Sequence, residues 1–100
     1  MIKPIHMIDY DNTYTACPEV YDRFIADLKA AGFRVFVITM RCGNGHDSVC
    51  RENREEVKVP GCSIIFTDLQ PKLYYVTRTL GLRGPFVWHD DDPKCILGPK

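Results

Sequence analysis

The sequence predicts an α/β domain in which helices cover both faces of a mainly parallel sheet. Three observations carry that reading. Short apolar, β-branched runs alternate with stretches of helical periodicity. The runs are apolar on successive residues, as in strands buried on both faces. The segments between them are long enough for helical crossovers, which are right-handed and make neighbouring strands parallel.

Ile5-His6-Met7-Ile8 runs directly into Asp9-Tyr10-Asp11-Asn12-Thr13. A strand interior cannot absorb two unpaired charges, so Asp9 and Asp11 belong at the C-terminal edge of the first strand. Asn12 and Thr13 suit a sharp turn there. Pro18 opens a helix that runs to about Ala31 and stops at Gly32. Val20, Phe24, Leu28 and Ala31 are its expected apolar face. Arg34 to Thr39 is the second strand, and the loop Cys42 to Gly45 leads into a polar helix from about Asp47 to Val57. After Pro60-Gly61, Ser63 to Thr67 forms the third strand. A helix from Pro71 to Leu80 follows, stopped by Gly81. Pro85 to His89 is the fourth strand and ends in Asp90-Asp91-Asp92-Pro93. In the tail, Cys95-Ile96-Leu97 is expected to add a short edge strand.

The 100 residues read as one domain, and 45% hydrophobic residues can bury a core without disulfides. Thirteen basic against thirteen acidic side chains argue against a dedicated grip on nucleic acid, though a local basic patch stays open. No apolar run approaches the roughly 18 residues of a membrane span. Pro4, His6 and Asp9 interrupt any secretory pattern. The expectation is a soluble cytoplasmic protein. Five cysteines, an odd number, then read as reduced thiols. Cys42, His46, Cys50 and Cys62 offer soft donors for zinc, but their spacing lacks a C-x2-C pair, and unligated thiols are the preferred reading.

In a parallel sheet all strand C-termini share one edge, where open α/β sheets place their binding crevices. That edge collects Asp9 and Asp11, Thr39 and Arg41, Thr67, Asp68 and Lys72, and Asp90, Asp91 and Asp92. Clustered carboxylates call for a cation, and a hydroxyl with a lysine suits an anion. Magnesium fits best, because it takes one or two carboxylates and bridges to phosphate oxygens.

With these residues in place, the chain resembles the haloacid dehalogenase superfamily of phosphotransferases and phosphatases. The family's opening Asp-x-Asp-x-Thr stands here as Asp9-Tyr10-Asp11-Asn12-Thr13. Its second motif, a Ser or Thr ending the next strand, is matched by Thr39. Its lysine near the start of a later helix is matched by Lys72, and its closing acidic pair by Asp90-Asp91. The four occur in the family's order across nearly the whole chain. That order differs from the order in two-component receiver domains and in the topoisomerase-primase metal fold.

The resemblance implies a Rossmann-like three-layer sandwich with core strand order 3-2-1-4. It also implies a magnesium-dependent phosphomonoester phosphatase acting through an aspartyl-phosphate. Asp9 is then the nucleophile and Asp11 the acid and base. Thr39 and Lys72 hold the phosphoryl group. Magnesium rests on Asp9, Asp90 and the Asp11 backbone carbonyl, with Asp91 or Asp92 as the further acid. The motif recurs in polynucleotide 3′-phosphatases and deoxyribonucleotidases, so a nucleotide, a nucleic-acid end or another phosphorylated metabolite all remain open. A non-catalytic binding or regulatory module of the same fold is the alternative.

Only four residues separate Thr13 from Pro18, and about 30 lie between Thr39 and Lys72. Neither gap holds a cap domain. An uncapped site suits a bulky phosphorylated partner, or a second subunit as its cover. Arg41 is a candidate phosphate contact. Arg51, Arg54 and Lys58 read as a solvated helix face. His46 reads as a loop residue and His89 as a strand-end polar group. Tyr10 should pack on the side opposite Asp9, and Tyr14, Tyr74, Tyr75 and Trp88 are core or rim aromatics.

Overall fold

β1 (Ile5–Asp9) forms because its alternating side chains serve two cores at once. Ile5 and Met7 point to one face of the sheet, and Ile8 and Tyr10 to the other. The computed structural model describes residues 2–98 of the chain. In it β1 lies between β2 (Val35–Thr39) and β4 (Phe86–His89), with β3 (Ser63–Phe66) outside β2. All three pairings are parallel. The order β3-β2-β1-β4 and the α/β class are those expected from the sequence.

On the face holding Ile8, Val35 and Val37 lies α1 (Pro18–Ala30). Val57 and Val59, just after α2 (Ser48–Glu56), close the same core. The opposite face, with Ile5, Met7, Ile38 and Ile65, is covered by Val76 and Tyr75. They belong to a π-helical turn (Tyr75–Thr79) that continues the short α3 (Lys72–Tyr74). Helices thus cover both faces, giving three layers. Met7 and Ile8 are wholly buried. Each such burial contributes about 1.5–3 kcal/mol, which makes β1 the anchor of both cores. No helix among the described residues is long and apolar enough to cross a membrane.

Three local expectations are corrected. The buried stripe of α1 is Tyr21, Phe24, Ile25 and Leu28, while Val20 is 61% exposed and Ala31 is exposed. Phe24 and Leu28 keep their expected places, and the larger Tyr21 and Ile25 take the buried places expected of Val20 and Ala31. The expected helix Pro71 to Leu80 widens to π geometry, with the Leu80 N–H bonding the Tyr75 carbonyl at 3.1 Å. The Thr77 hydroxyl donates to the Leu73 carbonyl at 2.7 Å and competes for the acceptor that an α-helix would use. The tail forms α4 (Lys94–Leu97) rather than an edge strand. Asp92 Oδ1 accepts from the Lys94 N–H at 3.1 Å, so the acidic run starts a helical turn.

The loop after β2 is fixed against the loop after β3. Asp68 Oδ1 accepts from the Gly43 N–H, and Asp68 Oδ2 from Asn44 Nδ2 at 2.8 Å. A Cβ on Gly43 would lie 2.3 Å from the Phe66 ring, so only glycine fits there.

Candidate functional site

The parallel register that pairs Ile8 with His89 makes Asp9 and Asp90 the next residues across from each other. Lys72 reaches them from the first turn of α3. Its Nζ donates to Asp9 Oδ1 and to Asp90 Oδ2, both at 2.6 Å. The tight turn before α3 sets that position, since Thr67 Oγ1 donates to the Gln70 carbonyl at 2.8 Å. Lys72 is 1% exposed and Asp9 is 7% exposed, so this charge network is almost dry. The second oxygen of Asp9 accepts from Thr13 Oγ1 at 3.2 Å, and the same hydroxyl lies 3.5 Å from Asp91 Oδ1.

Burial pushes the Asp9 carboxyl up to about 6; Lys72 opposes the rise, and Asp91 and Asp90 add to it. Burial pulls the Lys72 ammonium down, but Asp9 and Asp90 more than offset this, and its pKa is raised. Two carboxylates therefore share one ammonium, and Asp91 adds a third negative charge beside Asp9. One oxygen each of Asp9, Asp90 and Asp91 lies within 4.8 Å of the others, which suits a shared cation. The donors are all oxygen, the chemistry of a hard divalent ion. Among the described residues, Cys42, His46, Cys50 and Cys62 form no such group. The Cys62 thiol instead bonds the Val35 carbonyl at the far end of β2.

Asp11 takes a different direction from Asp9. Its Oδ1 accepts from Arg41 Nη2 at 2.7 Å and its Oδ2 from Arg41 Nε at 3.1 Å. The Thr39 hydroxyl, 1% exposed, donates to Asp11 Oδ2 at 3.4 Å and accepts from the Arg41 N–H at 3.2 Å. The remaining arm of Arg41 donates to Glu56 Oε2 at 2.9 Å. The pKa of Arg41 is raised, first by the Asp11 bonds, against burial and with help from Glu56.

A cavity of about 190 Å³ lies at this edge. Its wall includes Asp9, Asp11, Asn12, Lys72, Asp91 and Asp92, together with Met40 and Cys95. A shallower groove of about 510 Å³ shares Asn12 and Asp91 with it and continues past Tyr21, Trp88 and His89. The structure thus brings Asp9, Lys72, Asp90 and Asp91 together, with Asp11 on the same wall. Arg41 is not on that wall and meets the cavity through Asp11. Asp92 lines the cavity, but its backbone N–H donates to Asp90 Oδ1 at 2.9 Å and its carboxylate starts α4. The contiguous pair nearest Asp9 is therefore Asp90-Asp91.

Sequence reasoning missed the work of Thr13, which holds the free oxygen of Asp9, and of Glu56, which holds Arg41. The Thr13 signal was present in the Asp-x-Asp-x-Thr spacing. Glu56 gave none, because its role depends on where α2 ends. His89 faces His6, with Nδ1 of His6 3.0 Å from Nε2 of His89. Burial lowers the pKa of both rings. A scan against protein-family models, a search of curated proteins and a search of solved structures each return no match.

Proposed function

We propose that this protein is a magnesium-dependent phosphomonoester phosphatase that works through an aspartyl-phosphate on Asp9. The observation that carries the reading is the setting of Asp9. It is a buried carboxylate on the wall of a small cavity, paired with Lys72 and within cation-sharing range of Asp90 and Asp91. The motif order Asp9–Asp11, Thr39, Lys72, Asp90–Asp91 supports the same chemistry.

In this reading an oxygen of Asp9 attacks phosphorus in line, and the bond from phosphorus to the leaving oxygen breaks. Asp11 supplies the proton that the leaving oxygen takes. Asp11 then removes a proton from the water that attacks the aspartyl-phosphate. The phosphorus–Asp9 bond breaks, phosphate leaves and the carboxylate is restored. The Lys72 ammonium neutralises one phosphoryl oxygen, and the Thr39 hydroxyl, which lies behind the cavity wall and here donates to Asp11, would have to turn to reach another. Thr13 keeps Asp9 in one orientation during attack. Magnesium on Asp9, Asp90 and Asp91 would screen the approach of an anionic ester to an anionic nucleophile. A cavity of about 190 Å³ suits the phosphoryl group itself, so a large leaving group would project into the open groove beside it.

One observation favours the second reading, a non-catalytic module of the same fold. Both oxygens of Asp11 accept from Arg41, the arrangement a purely structural ion pair would also have. The deciding experiment is turnover of an aryl phosphate with and without magnesium, repeated on Asp9→Asn. Magnesium-dependent turnover that disappears in Asp9→Asn supports the phosphatase. Silence across aryl, sugar and nucleotide phosphates, with magnesium still bound, would favour the module.

A further inference from the structure

Arg41 carries five N–H donors in a rigid fork, and the fold occupies that fork from several sides. Asp11 takes Nε and Nη2, while Glu56 and the side-chain oxygen of Asn53, at 3.5 Å, take Nη1. The guanidinium also lies over the Tyr10 ring, 5.5 Å from its centroid. Tyr10 is itself buried, and its hydroxyl reaches the Glu56 carbonyl. The end of β1 and the C-terminal end of α2 thus hold the same side chain.

A residue meant to grip substrate phosphate should offer unpaired donors to the cavity. Arg41 offers none there, because its side chain does not line the cavity and two carboxylates already share its charge. We propose that Arg41 is instead a positioning residue, which aims the Asp11 carboxylate at the leaving oxygen of the substrate. The inference rests on the phosphatase reading and gives the two cations separate roles. Lys72 meets the phosphoryl group, and Arg41 meets the acid.

The geometry supports that division. Two parallel N–H···O bonds fix a carboxylate in its plane, where a single bond lets it rotate. Each carboxylate oxygen has two lone pairs, so the fork leaves sites on Asp11 for a proton. Without Arg41, the remaining side-chain bond to Asp11 is the one from Thr39 at 3.4 Å, too long to hold an orientation. Glu56 and Asn53 fix the fork in turn.

The test uses two esters that differ in their need for an acid. An alkyl phosphate, glycerol phosphate, expels an alkoxide that must be protonated, whereas nitrophenyl phosphate expels a phenolate that leaves unaided. The quantity compared is kcat/KM, which reports events up to the first irreversible step and so excludes later hydrolysis of the intermediate. In Arg41→Gln, kcat/KM should fall about 100-fold on glycerol phosphate, within the range of general acid catalysis, and hold on nitrophenyl phosphate. Arg41→Lys should show the same split, because an ammonium has charge but no fork. Glu56→Gln should show it more weakly. An equal loss on both esters with raised KM would make Arg41 a phosphate contact and overturn the proposal. Full rescue by Arg41→Lys would overturn it too, since charge alone would then suffice. A wild-type protein silent on both esters defeats the phosphatase reading and this inference with it. An active wild type whose variants show no split defeats this inference alone.

Discussion

Two carboxylate–cation networks stand side by side at the end of β1, and they solve opposite problems. Asp9 and Asp90 share the ammonium of Lys72, in side chains no more than 9% exposed. Asp11 and Glu56 share the guanidinium of Arg41, in side chains 27% to 64% exposed. A compact ammonium fits between two buried carboxylates, whereas a planar fork grips both oxygens of one. Burial separates their behaviour more than charge does. Removing a partner from the dry network strands a charge in a medium of low dielectric. In the wet network, water takes the place of the lost partner. The dry network can therefore hold a carboxyl group well above its ordinary pKa, and the wet one can only orient.

The sharpest way to test that contrast is at Asp9. Asp9→Asn keeps the shape and can still accept from Lys72, so the fold should persist. Turnover of nitrophenyl phosphate should fall by about 1,000-fold or more, since the proposed nucleophile is gone. Steady-state rates with magnesium, alongside circular dichroism, check both halves. Next in size is Lys72→Met in the metal-free protein. Urea unfolding should show a loss of about 3–5 kcal/mol, because Asp9 and Asp90 then face each other without a cation. The matching Arg41→Met variant should lose only about 0–1 kcal/mol. Equal losses in the two variants would erase the contrast.

Magnesium comes third. At 100 times its dissociation constant it should stabilise the protein by about 2.7 kcal/mol in thermal or urea unfolding. Asp91→Asn should remove most of that gain and Arg41→Gln should keep it. The smallest effect is on pH dependence in chelator. The Asp9 carboxyl is raised by burial to about 6, above its ordinary 3.8. The folded state then binds the proton more tightly than the unfolded state. The Asp9 contribution to stability is accordingly highest at the acid end and falls as pH rises from about 4 through about 6, then levels. Subtracting the urea-derived profile of Asp9→Asn isolates that slope. A difference profile that is flat, or that rises with pH, would contradict the burial of Asp9.

Much of the dry network was legible in the sequence. Acids that follow a buried strand directly must sit at its end, and a parallel sheet aligns all such ends. Asp9 and Asp90 converge for that reason, and Lys72 joins them because α3 begins one tight turn beyond the end of β3. The wet network was not legible, because Arg41 lies 30 residues from Asp11 and 15 from Glu56. Its partners depend on where a helix ends over a loop, which periodicity locates only to within a few residues. The His6–His89 pair was half legible. Alternation puts both rings on the α1 face, but only the register of β1 against β4 brings them together. The tail misled for a different reason. Cys95-Ile96-Leu97 has strand-like composition, but Asp92 and Pro93 ahead of it favour the first turn of a helix.

The acidic run after β4 also bears on how copies of the molecule behave toward one another. β4 is an edge strand, and its outer side pairs with no other strand among the described residues. Phe86, Val87, Trp88 and His89 are only half-buried, an adhesive stretch for any passing strand. With a formal net charge of zero, the chain gains no general repulsion from its copies. Pro85 at one end of β4 and the negative charges of Asp90, Asp91 and Asp92 at the other are the local gatekeepers. Neutralising those acids to probe the proposed metal site therefore also unguards the edge, and such variants will precipitate at lower concentrations than the parent chain.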